Sequence, residues 1–247
     1  MTLQDKVALV TGGSRGIGAA TARALADAGA DVAISFVASS GLAEDVVRDI
    51  KDKGRRAVAL RADQADRTQS ATLVDSVVRE FGRLDILVNN AGIMARGQVG
   101  DPESSSEDLD RMFAVNVDGV VATTRAAAQV MEQDGRIIML GSNLASRSMF
   151  PGVADYAATK AALVGYAKGA ARDLGPRRIT VNVLQSGSCD TDMNPADGPS
   201  ADRQRATNAL NRYGRPEEIA AGVLFLAQPT SSFITGSVLT IDGGAIA

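Results

Sequence analysis

A tyrosine and a lysine stand four residues apart in the stretch DYAATKAAL, at Tyr156 and Lys160. Residues at that spacing share one face of a helix, and a segment so rich in alanine favours the helical state. A free phenol titrates near pH ~10, too high to exchange protons readily at neutral pH. A neighbouring ammonium favours the phenolate, so the spacing predicts a Tyr156 whose pKa Lys160 lowers and which serves as acid and base. The chain contains no histidine, the side chain that usually does this work. Proton transfer therefore falls to Tyr, Lys, Asp or Glu. The one cysteine, Cys189, has no visible base to activate it and reads as a small filler, and without histidine the residues offer no zinc site, so no metal is expected.

A second chemical signature lies near the start. TGGSRGIG, Thr11 to Gly18, follows a short apolar run and opens a helical one. In that setting Gly12 permits a tight turn, Gly16 a close backbone approach to a pyrophosphate, and Gly18 close packing of helix on sheet. The positive helix end and its free N–H groups hold the anion, with Ser14, Arg15 and Ile17 as further contacts. The spacing is G-x-x-x-G-x-G rather than G-x-G-x-x-G. At the end of the next strand, where an acid would hold the adenosine ribose, stand Phe36 and then Ser39 and Ser40. Arg15 can neutralise a 2′-phosphate and no carboxylate repels it, so NADP(H) is expected over NAD(H).

These residues need a frame. The chain has 247 residues, 45% of them apolar, and a net charge of −3. That suits one large α/β domain and gives no basic surface for nucleic acid or anionic membrane. The apolar runs are strand-length, the first residues do not form a leader peptide, and a single cysteine fits a reducing cytoplasm. Strand-like runs (KVALVT, DVAISF, RAVALRAD, LDILVNNAG, GRIIMLGS, ITVNVLQSG, SVLTIDGG) alternate with helical ones throughout. The strands are continuous apolar runs, the pattern of a parallel sheet covered on both faces. One helix is expected from about Ser105 to Gln133, opened by a capping box at Ser105 and Asp108. Asp190 to Tyr213 reads as polar and irregular. The expected fold is a single, doubly wound, Rossmann-like domain of seven parallel strands over residues 1–247, with ligands beyond the carboxyl ends of the strands.

TGGSRGIG, NNAG (Asn89–Gly92), VNVDG, the GS ending in Ser142, YAATK, GRPEEIA and TGSVLTIDGG, in that order, resemble the short-chain dehydrogenase/reductase superfamily over essentially the whole chain. The resemblance implies a catalytic trio of Ser142, Tyr156 and Lys160, with Asn116 as a fourth member holding a water in a proton relay. It implies that Asp63 bonds the adenine, that Asn90, Ala91 and Gly92 floor the cofactor, that Lys160 bonds the nicotinamide ribose, and that Gly187 and Thr191 lie by the nicotinamide. Asn143, Leu144, Met149 and Met193 are expected in the substrate pocket, with residues 186–213 as a substrate lid. Where the family commonly has Pro-Gly after the sixth strand, this chain has Ser186-Gly187, which predicts a looser turn.

The function this implies is reversible hydride transfer between NADP(H) and a ketone or secondary alcohol. A 3-oxoacyl-[acyl-carrier-protein] reductase is an alternative, with Arg147, Arg203, Arg205 and Arg212 available to an acidic carrier. GSN, the longer loop after it and DTDMNPADGP also resemble the cyclic-di-GMP-binding biofilm dispersal branch, a nucleotide-binding regulator on the same fold. The family further implies a homotetramer built on the helices from Ser105 and from Asp155 and on the last strand.

Overall fold

Seven apolar runs form the strands of one sheet. The computed structural model describes residues 2–247. The strands are β1 (Val7–Val10), β2 (Asp31–Phe36), β3 (Ala57–Arg61), β4 (Ile86–Asn89), β5 (Arg136–Ser142), β6 (Thr180–Ser186) and β7 (Val238–Ile241). Every neighbouring pair is parallel, in the order β3-β2-β1-β4-β5-β6-β7. The order reverses between β1 and β4, and the crevice beyond their carboxyl ends is where such sheets bind ligands.

The helices are α1 (Gly16–Asp27), α2 (Ser40–Asp52), α3 (Arg67–Phe81), α4 (Ser106–Phe113), α5 (Gly119–Val130), α6 (Ala154–Leu174), α7 (Ala201–Arg205) and α8 (Pro216–Ala227). Successive strand residues point to opposite faces. Ala8, Val10, Val32 and Ile34 pack with Leu25 of α1, Val46 and Ile50 of α2, and Ile219 and Val223 of α8. Leu9, Leu87, Ile137, Met139 and Val183 pack on the other face with Val74 of α3, Val120 of α5, and Leu163 and Ala167 of α6. These two layers cover both faces of the central strands, which accounts for their largely apolar runs. Among the described residues no helix is long and apolar enough to cross a membrane.

Three expectations need correction. The helix expected from Ser105 to Gln133 is in three parts: α4, a wide π turn over Ala114–Asp118, and α5, which stops at Val130. The extra residue of the wide turn accompanies an Asn116 that is fully buried and bonded out of the helix to the Ile93 backbone. The capping box is half formed: Ser105 Oγ accepts from Asp108 N at 3.1 Å, and among the described residues the Asp108 carboxylate makes no return bond. Aspartate is one methylene shorter than the glutamate this device favours. The stretch from Asp190 to Tyr213 contains α7 and is tied together by side-chain bonds.

At Ser186, where a looser turn is expected, the chain keeps the register of the sheet. β6 runs through this residue, in register with Ser142 on one side and Ile241 on the other. Gly187 N then donates to Ile241 O at 3.0 Å, continuing the ladder one residue further.

Candidate active site

The glycine turn is held from the neighbouring strand. Thr11 Oγ1 accepts from Asn90 N and Ala91 N, both at 3.0 Å, while Asn90 Nδ2 donates to Thr11 O at 2.9 Å and Gly12 O at 3.0 Å. The floor formed by Asn90, Ala91 and Gly92 is therefore also the clamp that shapes the turn. A Cβ on Gly18 would lie 2.3 Å from Gly12 O and 2.5 Å from Asn90 Nδ2, so only glycine lets α1 come this close. Gly12 and Gly16 have φ of +63° and +52°.

From this turn a cleft of about 800 Å³ runs across the carboxyl ends of the strands. Gly12, Ser14, Arg15, Gly16, Ile17 and Gly18 line its start, Phe36, Ser39 and Asp63 one wall, and Asn90, Ala91, Gly92 and Lys160 its floor. Gly187 and Thr191 lie opposite, and Thr191 comes within van der Waals reach of a Cβ placed on Gly16. Ser142, Asn143, Leu144, Met149, Tyr156 and Met193 line the same cleft. Of the catalytic, cofactor and substrate-pocket residues expected from sequence, Asn116 alone does not reach it.

Two ion pairs face across this space. Arg15 meets Asp192 at 3.4 Å, and Arg111 meets Asp63 at 3.2 Å. The Arg15 and Asp192 side chains are both more than half exposed, so the pair contributes little, roughly 0–1 kcal/mol, and a ligand anion can displace it. Asp63 also caps its own loop, with Oδ1 accepting from Ala65 N at 2.9 Å.

Tyr156 and Lys160 stand on the buried face of α6, as their spacing predicts. Lys160 Nζ lies 5.8 Å from the Tyr156 ring centroid and donates to Leu140 O at 2.9 Å. Tyr156 opens onto the cleft with its hydroxyl among buried groups. The electrostatics differ from the sequence expectation. Burial pushes the phenol up to about 12, only partly offset by a hydrogen bond with Ser142. Burial also pushes the Lys160 ammonium down to about 8. Withdrawal from water disfavours both charged forms and outweighs their mutual effect in the free protein. The expected lowering of the Tyr156 pKa by Lys160 is absent from this resting state.

Ser142 ends β5. Its Oγ accepts from Leu144 N at 3.2 Å, which fixes it on the turn leading into the substrate wall. Asn116 Oδ1 accepts from Ile93 N and its Nδ2 donates to Ile93 O, both at 2.9 Å, and to Thr159 Oγ1 at 3.1 Å. That amide has no N–H left for a water. Its visible work is to pin the loop after β4 to α6.

Asp242 and Gln204 have no part in the sequence expectations, and the contact Arg203 makes is not among them either. Asp242, in the DGG after β7, accepts from Asn143 Nδ2 at 3.1 Å. Gln204 of α7 is buried; its Oε1 accepts from Ser188 Oγ at 2.6 Å and Asn194 Nδ2 at 2.9 Å, and its Nε2 donates to Asn194 Oδ1 and Ser200 Oγ, both at 2.9 Å. Arg203 stacks on Phe150 with Cζ 4.5 Å from the ring centroid. No local pattern announces these pairs; only the acid before a Gly-Gly turn hinted at Asp242. Cys189 lines the cleft but is 4% exposed, and burial, then the nearby Asp190, Glu217 and Glu218, pushes its thiol up to about 12. It fits the filler reading.

Known proteins share this architecture. A family model described as enoyl-(acyl carrier protein) reductase matches residues 12–245. A short-chain dehydrogenase from Burkholderia cenocepacia J2315, solved in complex with NADP, is 51% identical, with 100% of each chain covered and a TM-score of 0.98. The cyclic-di-GMP-binding biofilm dispersal mediator protein of Escherichia coli (strain K12) is 44% identical over 96% of each chain. Versicolorin reductase 1 of Aspergillus parasiticus is 40% identical over 98% of this chain and 97% of its own. With this sheet order, this glycine turn and these whole-length matches, the chain belongs to the short-chain dehydrogenase/reductase family of oxidoreductases.

Proposed function

We propose that the protein is an NADP(H)-dependent carbonyl reductase, acting reversibly on a ketone or secondary alcohol, with Tyr156 as the acid/base. The observation that carries this reading is one continuous cleft with the glycine turn at one end and Ser142, Tyr156 and Lys160 at the other.

The residues fit the cofactor. The glycine turn leaves backbone where side chains would stand, at the amino end of α1, where N–H groups and the helix dipole favour a pyrophosphate. Arg15 and Ser39 are placed for a 2′-phosphate with no acid at Phe36, and the Burkholderia relative was solved with NADP. Asp63 would bond the adenine, Lys160 the nicotinamide ribose, and Gly187 and Thr191 would lie by the carboxamide; all four line the cleft. When bound, the cofactor supplies or accepts the hydride.

The chain's own residues then manage the oxygen. Ser142 donates a hydrogen bond to the carbonyl and steadies its developing charge. Tyr156 is a protonated phenol at neutral pH, the form needed to give its proton to that oxygen. As the proton leaves, negative charge grows on the phenol beside the Lys160 ammonium. The ammonium therefore helps the transition state more than the ground state, which is where assistance accelerates a reaction. Asn116 acts as a positioning residue through Ile93 and Thr159.

The test is NADPH oxidation against a panel of ketones, followed by Tyr156→Phe. We expect a rate loss of about 10²–10⁴-fold with NADPH still bound. Undiminished turnover in the variant refutes the mechanism. Two other readings have specific support. The family model's description favours an acyl-carrier-protein substrate, and the Escherichia coli relative's name favours cyclic-di-GMP binding. Tight binding of cyclic-di-GMP with no carbonyl turnover would select the regulator. Residues 186–213 serve as the substrate lid, and Phe225 and the fully exposed Phe233, near the edge strand β7, support a homotetramer with an interface there.

A further inference from the structure

Four arginines were available from sequence for an anionic partner, and the structure sorts them. Arg205 pairs with Asp202, and Arg212 pairs with Glu218 at 2.7 Å. Neither Arg147 nor Arg203 lines the cleft itself, and among the described residues no side-chain contact ties the exposed Arg147 to a cleft residue. Arg203 has no carboxylate partner among the described residues. It stacks on Phe150, a cleft residue, from α7 across to the loop that joins Ser142 to the helix of Tyr156. Stacking fixes the guanidinium plane and leaves its N–H edge free.

A fifth arginine joins it. Arg96 lines the cleft, is exposed, and also lacks a carboxylate partner among the described residues. The bond from Gly97 N to Gly152 O, 3.2 Å, anchors the loop of Arg96 beside the loop of Phe150. The loop of Arg96 and the loop that carries Phe150, on which Arg203 stacks, are thus neighbours. The acids lining the cleft are Asp63 and Asp192, and both are already occupied by Arg111 and Arg15. The loop itself contributes Leu144, Met149, Phe150 and Val153, apolar groups that would hold a hydrocarbon body.

We propose that Arg96 and Arg203 form an anion subsite at the substrate end of the cleft, so that the substrate is a carbonyl compound with an apolar body and an anionic terminus. This rests on the carbonyl reductase reading. A planar, partnerless guanidinium matches a carboxylate or a phosphate bidentately. The apolar loop residues set a gap of several carbons between that terminus and the reacting carbonyl.

The experiment compares medium-chain oxo acids with their methyl esters, which present the same ketone without the charge. Matching oxo phosphonates form a second arm and tell a carboxylate-selective site from a phosphate-selective one. We expect the acids or the phosphonates to exceed the esters by about tenfold or more in kcat/KM, as one charge-assisted contact implies. That preference should fall with added salt and collapse in the Arg96→Gln/Arg203→Gln double variant. Arg205→Gln, which removes a guanidinium already paired with Asp202, should leave the ratio as it is. Equal use of acid and ester, or a preference that survives in the double variant, overturns the proposal while the reductase reading stands. If no ketone is turned over, the reductase reading falls. Stabilisation of the NADPH-loaded protein by oxo acid but not by ester then still supports the subsite, and equal stabilisation overturns it.

Discussion

The contact between Asn143 and Asp242 joins the far end of the chain to the turn carrying Ser142, and it can be inverted chemically. Asn143 is 4% exposed, and its Nδ2 donates to Asp242 Oδ2 at 3.1 Å. The other carboxylate oxygen of Asp242 accepts from Gly244 N at 3.0 Å. The Asn143 carbonyl accepts from Ser146 N and Arg147 N, both at 3.0 Å, so this residue anchors the whole turn. In Asp242→Asn the oxygen stays on Gly244 N, and two amide NH₂ groups then face each other. Loss of a hydrogen bond to a charged group costs about 1.5–3 kcal/mol. Partial exposure of Asp242 trims this to about 1–2 kcal/mol, which at ~2–4 °C per kcal/mol for a chain of this size lowers Tm by about 2–8 °C. A looser turn also misplaces Ser142, so kcat falls while the NADPH Kd holds. The exchange Asn143→Asp/Asp242→Asn restores a donor facing an acceptor, the amide now donating from the far end of the chain. Differential scanning calorimetry should show most of the lost Tm recovered. The rate should recover only in part, since a carboxylate now sits one residue from Ser142, near the developing oxyanion. Losses that simply add in the double variant would refute the coupling, because independent sites add.

Two further outcomes follow from the site. Gly18→Ala would place a methyl 2.3 Å from Gly12 O, a backbone atom that cannot step aside; we expect ~1–3 kcal/mol of destabilisation and a drop in NADPH affinity of at least about tenfold, read by calorimetric titration, and wild-type affinity would disprove the close-packed turn. Lys160 is pushed down to about 8 from its ordinary 10.5, so between those values the unfolded chain holds more protons and native stability rises with pH. Lys160→Met should therefore raise the Tm of the free protein most below pH about 8, with the advantage fading towards pH about 10.5. A gap that stays constant across that range would show that the ammonium is not strained by burial.

Much of this molecule is legible in its sequence. The strands announced themselves because both faces of the sheet are covered, so their residues are mostly apolar and the run needs no alternation. The glycine turn was readable because steric exclusion acts within a few residues. Ser142, Tyr156 and Lys160 came from motif order, and the cleft brings them together. What stayed hidden depends on distant partners. The wide turn at Ala114–Asp118 accompanies a side chain that bonds to Ile93, 23 positions away. Asn143 and Asp242 are 99 residues apart. The charge balance at Tyr156 is not legible in sequence, because the spacing of two residues says nothing about how much water reaches them.

The stretch between β6 and α8, part of which lines the cleft, is held by one buried side chain. One glutamine, Gln204, grips Ser188, Asn194 and Ser200 at once. Its amide is bonded at both ends, so removing the side chain would leave several buried polar groups unpaired together. Gln204 thereby ties the chain just after β6 to the turn at Asn194 and to the start of α7 through one side chain.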